Sequence, residues 1–317
     1  MSVVLPAYNE RPNLAELVPE TVNVLQEAGV TYEVIVVDDG STDGTDELMH
    51  GLRGAEVVYL RMRRNAGKSA ALSAGLARAK GEYVVLMDAD GQDDPHEIPV
   101  LLAAIDGDDG DAERSSGHAG KVDLVTGRRA VRNDRFVKRT TSKLYNRATS
   151  VVTGVPGSDF NSGLKVMRRE LATGLELYGE LHRYIPVLAQ WRGFKVAEVD
   201  VEHHTRRHGE SKFGKARFWR GFLDLITVKF LTTYTGRPFH LFGGLGVVMG
   251  AIGSGLLSWM LVLRVMGQQV GDRPALLTGI LLVVVAVQMI SLGLLAELSV
   301  HLRRRRNLDA TVEVDDL

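Results

Sequence analysis

Apolar positions in the first two thirds of the chain come in short dense runs separated by segments of helical period. Ser2–Pro6, Tyr32–Gly40, Ala55–Leu60 and Glu82–Asp88 are rich in Val, Ile, Leu and Tyr and read as four strands. Lys68–Ala79 is Ala- and Leu-rich and reads as a helix. Another helix is expected to follow Asn13, with Glu16 completing a capping box and Pro19 introducing a kink or restart. Strands this apolar, alternating with helices, predict an α/β domain on a mostly parallel sheet covered on both faces. Polar clusters close these runs: PAYNE, DDGSTDGT and DADGQDD. They fall at the strand C-terminal ends, the edge where open α/β sheets bind ligands.

The pattern changes after about residue 238. Leu241–Leu263 and Ala275–Ala296 each run for more than 20 residues without a charged side chain. Each is long enough to cross a hydrocarbon layer of roughly 30 Å. Gly243, Gly246, Gly250 and Gly253 share related faces of the first, which predicts close packing of the two segments. Lys229 and Arg237 precede the first and Arg303–Arg306 follow the second, so both flanks are expected to be cytoplasmic. Between the two regions, Phe218, Trp219, Phe222, Leu223, Ile226, Phe230 and Leu231 recur at helical spacing among Lys and Arg, as in a helix lying on a membrane. The expected organisation is a soluble domain over 1–212, an interfacial helix over 213–237, two spans over 238–302 and a tail over 303–317. Residues 106–121, acidic and rich in Gly and Ser, read as a disordered surface insertion.

Bulk composition narrows the functions. The formal net charge of −1 gives no case for nucleic-acid binding. The absence of cysteine excludes disulfides and thiolate metal sites. The N-terminus shows no basic segment with a long apolar run before a cleavage site, so no cleaved signal peptide is expected. Homo-oligomerisation is left open.

The densest chemistry is DADGQDDP. Asp88, Asp90 and Gln92 alternate on an extended segment, so their oxygens can converge. Carboxylates at the end of a buried strand are costly unless paired, and Mg²⁺ or Mn²⁺ would resolve that charge. NAGKSAAL places Gly67 and Lys68 at a helix start, where an anion is favoured. Neither a Walker A loop nor G-x-G-x-x-G after a strand is present, which disfavours the corresponding nucleotide sites. A crevice holding a metal and a diphosphate remains.

In this order, VVLPAYNE, VVDDGSTDGT, NAGKSAAL and DADGQDDP resemble the family 2 glycosyltransferases of GT-A fold. Together with the closing apolar hairpin, the chain is similar to their membrane-anchored polyprenyl-phosphate branch. The resemblance implies a nucleotide-sugar donor and a polyprenyl-phosphate acceptor, dolichyl or undecaprenyl, at the cytoplasmic face of a membrane. It implies that Pro6, Tyr8, Glu10, Asp38 and Asp39 hold base and ribose. Lys68, Asp88, Ala89, Asp90 and Gln92 would line the metal–diphosphate site. Arg128, Arg206 and Lys212 would contact phosphate, with Asp90, Arg128 and Asp159 nearest the chemistry. In SDFNSGLK the chain departs from the pattern: Leu164 stands where relatives carry an aromatic.

A lipid phosphate is already anionic at neutral pH and needs cations rather than a strong base. Arg129 and Arg139 in one segment, and Arg206, Arg207 and Lys212 in another, supply them. His203, His204 and His208 have spacings ill suited to a metal cluster and read as phosphate-side or interface groups. The expected reaction is a single inverting displacement from a GDP-mannose or UDP-glucose type of donor. A polymer-extending transferase or a non-catalytic nucleotide-sugar-binding module are the competing readings.

Overall fold

The computed structural model describes residues 1–52, 54, 56–107, 121–129, 150, 162–205, 227–230, 233–234, 237–271 and 273–309. The chain divides into two compact units, Met1–Val228 and Lys229–Leu317.

The first unit is built on a seven-stranded sheet in the order β3-β2-β1-β4-β6-β5-β7. The strands are β1 (Ser2–Ala7), β2 (Glu33–Asp38), β3 (Val57–Arg61), β4 (Tyr83–Leu86), β5 (Leu124–Arg129), β6 (Lys165–Arg168) and β7 (Val196–Val201). β1, β2, β3 and β4 are parallel neighbours, and β5 pairs with β7 in parallel. β6 is antiparallel to both β4 and β5 and joins the two halves. The four expected strands and the mostly parallel sheet are present, with strand ends shifted by one to two residues.

Alternation along the strands fills two cores. Val3, Leu5, Val34, Val36, Val85 and Met87 are buried with Leu14, Leu17 and Leu25 of α1 (Arg11–Glu27), Met49 of α2 (Thr45–Gly51) and Leu101 and Ile105 of α4 (Ile98–Asp106). On the other face Val4 and Val37 meet α3 (Lys68–Arg78). A Cβ on Gly75 would collide with Val4 Cγ1, so only glycine lets α3 settle this closely on the sheet. Helices α5 (Arg169–Gly174) and α6 (Ile185–Trp191) complete the unit.

α1 differs from expectation. It starts at Arg11, with Pro12 in its first turn, and runs through Pro19 to Glu27 as one helix. Asn13 is therefore inside it, donating from Nδ2 to Glu10 Oε2 at 2.6 Å, and the Asn13 capping box does not form. Proline suits the first helical turn, where the missing N–H has no partner to lose. Pro19 deprives only the Ala15 carbonyl, and Ala15 is exposed to water.

The second unit contains α7 (Pro238–Val265) and α8 (Pro274–Asp309), both long and apolar enough to cross a membrane. They pack antiparallel through glycines. A Cβ on Gly246 would lie 2.9 Å from the Ala286 carbonyl, and one on Gly253 2.9 Å from the Gly279 carbonyl. The expected close packing is thus seen, while Leu245, Val248, Ile252, Trp259, Leu281, Val284 and Leu295 face outward. Small residues inside and large apolar ones outside invert the pattern of a soluble hairpin. Glu297 Oε2 accepts the Phe239 N–H at 3.2 Å and so caps the start of α7. α8 continues to Asp309, past residue 303 where a tail was expected.

Candidate active site

β1 and β2 run parallel, so the loops after them open on one edge. Three hydrogen bonds lace these loops together: Asn9 N–H to Ser41 Oγ (2.9 Å), Thr42 N–H to Asn9 Oδ1 (2.8 Å) and Arg11 N–H to Asp43 Oδ2 (2.9 Å). Asn9 holds φ 55°, in the left-handed region that asparagine tolerates. Pro6 is half-buried within β1, and Tyr8 is exposed at the loop. Asp38 is fully buried; it accepts the Ser41 N–H at Oδ1 (2.7 Å) and the Tyr59 hydroxyl at Oδ2 (2.7 Å). Burial and that bond to Asp38 push the Tyr59 phenol up. Asp39 accepts the N–H groups of Ala66 (2.7 Å) and Gly67 (2.9 Å). The anion at the start of α3 is therefore the chain's own Asp39. Asp38 and Asp39, expected to hold base and ribose, are seen here bracing the loops at this edge.

The acidic loop follows β4. Lys68 Nζ lies 2.5 Å from Asp88 Oδ1, Asp88 N–H donates to Asp93 Oδ2 (3.2 Å) and Gln92 N–H donates to Asp90 Oδ1 (3.2 Å). Ala89 is buried between the two expected metal ligands. Burial opposes ionisation of Asp88, but the Lys68 ammonium, with that of Lys165 behind it, outweighs burial and holds Asp88 below the usual carboxylate range. Asp93, only 5 % exposed, goes the other way. Burial, and then the charges of Asp88 and Asp90, push it up to about 7.

The wall behind these carboxylates comes from residues that the sequence reading missed. A Cβ on Gly163 would collide with Asp93 Oδ2 and lie 2.9 Å from Asp88 Oδ2, so β6 can enter the sheet here only behind a glycine. Lys165 is buried, with its ammonium donating to the Ser162 carbonyl. Leu164 is also buried, in the core. His182 Nδ1 lies 3.0 Å from Ser69 Oγ. Burial first, and then Lys68 and Arg183, push His182 down to about 2, so its imidazole is neutral. The signal available in the sequence was a lysine inside the apolar run LKVMR.

The end of β7 closes the loop from the other side. His203 forms an antiparallel bridge with Asp93, and His204 N–H donates to the Gln92 carbonyl at 2.8 Å. These backbone links tie the strand end to residues 92 and 93. His204 Nε2 also meets Asp94 Oδ2 at 2.8 Å, and His203 Nε2 lies 3.9 Å from Asp93 Oδ1. These two histidines hold the acidic loop; His208 lies outside the described residues. Arg128, expected at phosphate, makes a two-pronged ion pair with Asp200 of β7. Arg139, Asp159, Arg206, Arg207 and Lys212 lie outside the described residues, as do the Arg129 side chain, most of the 106–121 insertion and most of the 213–237 segment.

The donor set suits a hard divalent cation. Asp88, Asp90 and Gln92 offer only oxygen ligands, and burial, together with the charges of Asp88 and Asp90, raises Asp93 beside them. Among the described residues, the group of three donors that already lies within 4.8 Å is a different one, Glu20, Asp94 and His96. That group is on the outer side of the loop, where Asp94 accepts from the His96 N–H and pairs with His204. Mg²⁺ and Mn²⁺ need only one or two carboxylates and fill the remaining positions with water and phosphate, a requirement that the all-oxygen set of Asp88, Asp90 and Gln92 fits.

Residues 2–174 match the family described as Glycosyl transferase family 2. The chain belongs to that family. This glycosyltransferase is 35% identical over 305 residues to a dodecaprenyl-phosphate galacturonate synthase of Rhizobium johnstonii, covering 94% of this chain and 87% of the relative. It is 33% identical over 303 residues to an undecaprenyl-phosphate 4-deoxy-4-formamido-L-arabinose transferase of Aeromonas hydrophila, with the same two coverages of 94% and 87%. Among solved structures, it resembles the glucosyl-3-phosphoglycerate synthase of Mycobacterium tuberculosis, with a TM-score of 0.53 and 23% identity over 73% of this chain and 79% of the other. The same synthase in complex with Mn²⁺ and UDP-glucose gives a TM-score of 0.52 at 22% identity, over 73% and 78% of the two chains. These likenesses establish the GT-A type of fold for the glycosyltransferase.

Proposed function

We propose that this chain transfers a sugar from a nucleotide-sugar donor to a polyprenyl phosphate at the cytoplasmic face of a membrane, with inversion at the anomeric carbon. The observation that carries this reading is the acidic loop at the C-terminal edge of the sheet, with Lys68 on Asp88, in a chain that also has two apolar helices. The names of the relatives support the acceptor, since both act with a polyprenyl phosphate. Asp88, Asp90 and Gln92 would hold Mg²⁺ or Mn²⁺. When bound, the cation supplies charge neutralisation for the departing diphosphate.

The chain's own residues do the rest. The laced loops after β1 and β2 shape the nucleotide end of the crevice. Lys68 presents an ammonium to phosphate oxygens. The acceptor phosphate is anionic already, so positioning and charge screening replace a strong general base. The basic residues Arg129, Arg139, Arg206, Arg207 and Lys212 are proposed to draw it in, next to an interfacial helix over 213–237. Asp159 is proposed to orient sugar or acceptor.

The test uses membranes containing the full chain, a polyprenyl phosphate, Mg²⁺ or Mn²⁺, and labelled donors in parallel. The donors are UDP- and GDP-linked hexoses, a uronic acid and a 4-formamido pentose. Organic-extractable label with one donor, lost on chelation, supports the proposal. Label in polymer, or no lipid product despite donor binding, refutes it.

A further inference from the structure

Asp88 is flanked by two lysines in different situations. Lys165 is 3 % exposed, and its ammonium is tied to the Ser162 carbonyl, so it is fixed in place. The Lys68 side chain is 36 % exposed and sits on the first turn of α3, with its ammonium 2.5 Å from Asp88 Oδ1. A lysine on a flexible four-carbon stem can leave such a pair if another anion is offered. The nearby N–H groups of Ala66 and Gly67 are already bonded to Asp39. An incoming phosphate at this helix start therefore meets the Lys68 ammonium as its foremost attraction.

We propose that Lys68 is an exchangeable counter-ion that holds Asp88 in the donor-free enzyme and moves to the diphosphate when the nucleotide arrives, so that divalent-cation binding and nucleotide binding are coupled. This rests on the metal–diphosphate reading of the site. Without nucleotide, an approaching dication meets two ammonium groups beside Asp88, and one ligand oxygen is engaged. With a nucleoside diphosphate present, Lys68 gains a new partner, Asp88 Oδ1 is released and repulsion falls. The coupling is reciprocal: whatever the nucleotide adds to cation affinity, the cation adds to nucleotide affinity.

The experiment measures Mn²⁺ affinity of the purified full chain in detergent by electron paramagnetic resonance of free Mn²⁺. It is run with Mn²⁺ alone, with UDP and with GDP, for wild type, Lys68→Met, Lys68→Gln and Lys68→Arg. Melting temperatures establish which variants are folded. In wild type, one of the two nucleoside diphosphates tightens Mn²⁺ binding by about tenfold or more, the scale of one charge pair in a part-buried site. In Lys68→Met and Lys68→Gln, Mn²⁺ alone binds about tenfold tighter than in wild type, and the enhancement by nucleotide shrinks. Lys68→Arg keeps the weak binding of Mn²⁺ alone. A merely structural Lys68 would give the opposite sign, with weaker Mn²⁺ binding in the neutral variants. Unchanged or weaker Mn²⁺ binding in the neutral variants, or full nucleotide enhancement without the lysine, overturns the exchange and leaves the site standing. Wild type that binds no Mn²⁺ under any condition overturns both. Wild type that binds Mn²⁺ equally with and without nucleotide overturns the exchange without recourse to any variant.

Discussion

Asp93→Asn isolates the electrostatic cost of the acidic loop. The substitution keeps the shape and an oxygen able to accept the Asp88 N–H, which now donates to Asp93 Oδ2 at 3.2 Å, but removes the charge. In the native state burial, followed by Asp88 and Asp90, pushes this carboxyl up from 3.8 to about 7. The native chain thus holds the proton more tightly than the unfolded chain. The associated stability is complete below about pH 4 and is lost as the pH rises through about 7. At about pH 8 the ceiling on that loss is about 4 kcal/mol, at about 1.36 kcal/mol for each tenfold. Relaxation around the loop should halve it, to about 2 kcal/mol, or roughly 4–8 °C in melting temperature for a unit of this size. The assay is thermal unfolding of the full chain in detergent and chelator, followed by intrinsic fluorescence, at pH 5 and pH 8. Asp93→Asn should melt higher than wild type at pH 8, with a smaller difference at pH 5. Added Mn²⁺ should narrow the gap at pH 8, because a bound cation relieves the same charge in wild type. Equal melting at both pH values, or a variant less stable at pH 8, would refute the account of the loop as charge-strained.

Three further outcomes are expected. Asp90→Ala should lower turnover by about 10²–10³-fold, the usual loss when a group stabilising transition-state charge is removed; near-normal turnover would end the metal-dependent reading. Glu297→Ala should destabilise the second unit by about 1 kcal/mol through loss of the cap on Phe239 N–H, read as a lower melting temperature in detergent, whereas Glu297→Gln should retain most of it. Gly253→Val should separate α7 from α8, since its Cβ would lie 2.9 Å from both the Gly279 carbonyl and Leu282 Cβ; protease resistance of the hairpin should fall, and Gly255→Val, which meets nothing within 4 Å, should leave it unchanged.

Much of this architecture was legible because local pattern and global fold agree. The buried parallel strands announce themselves as apolar runs, and the polar clusters that end them mark the crevice. The start of α1 was misplaced because Asn13 has the chemistry of a cap, while the weaker signal of Pro12 marked the true first turn. The antiparallel β6 was not legible, since a four-residue strand carries no record of its direction. Its placement beside β4 nevertheless decides the site. It brings Gly163 and Lys165 against Asp88 from a distant part of the sequence.

The same long-range assembly explains why the acidic loop could be read as a metal site but not as a balanced one. Asp88 and Asp93 are close in sequence, whereas the cations that favour their ionisation are Lys68 on α3 and, for Asp88, Lys165 on β6. Each comes from a different element, and each is ordinary in its own segment. A motif therefore identifies the candidate ligands, and the fold supplies the counter-charges beside them. That division makes Lys68 the informative position. It is the part-exposed cation in this set, it touches the first carboxylate of the loop, and it stands at the start of α3. If it exchanges as proposed, the enzyme keeps Asp88 paired while empty and frees it when the diphosphate arrives.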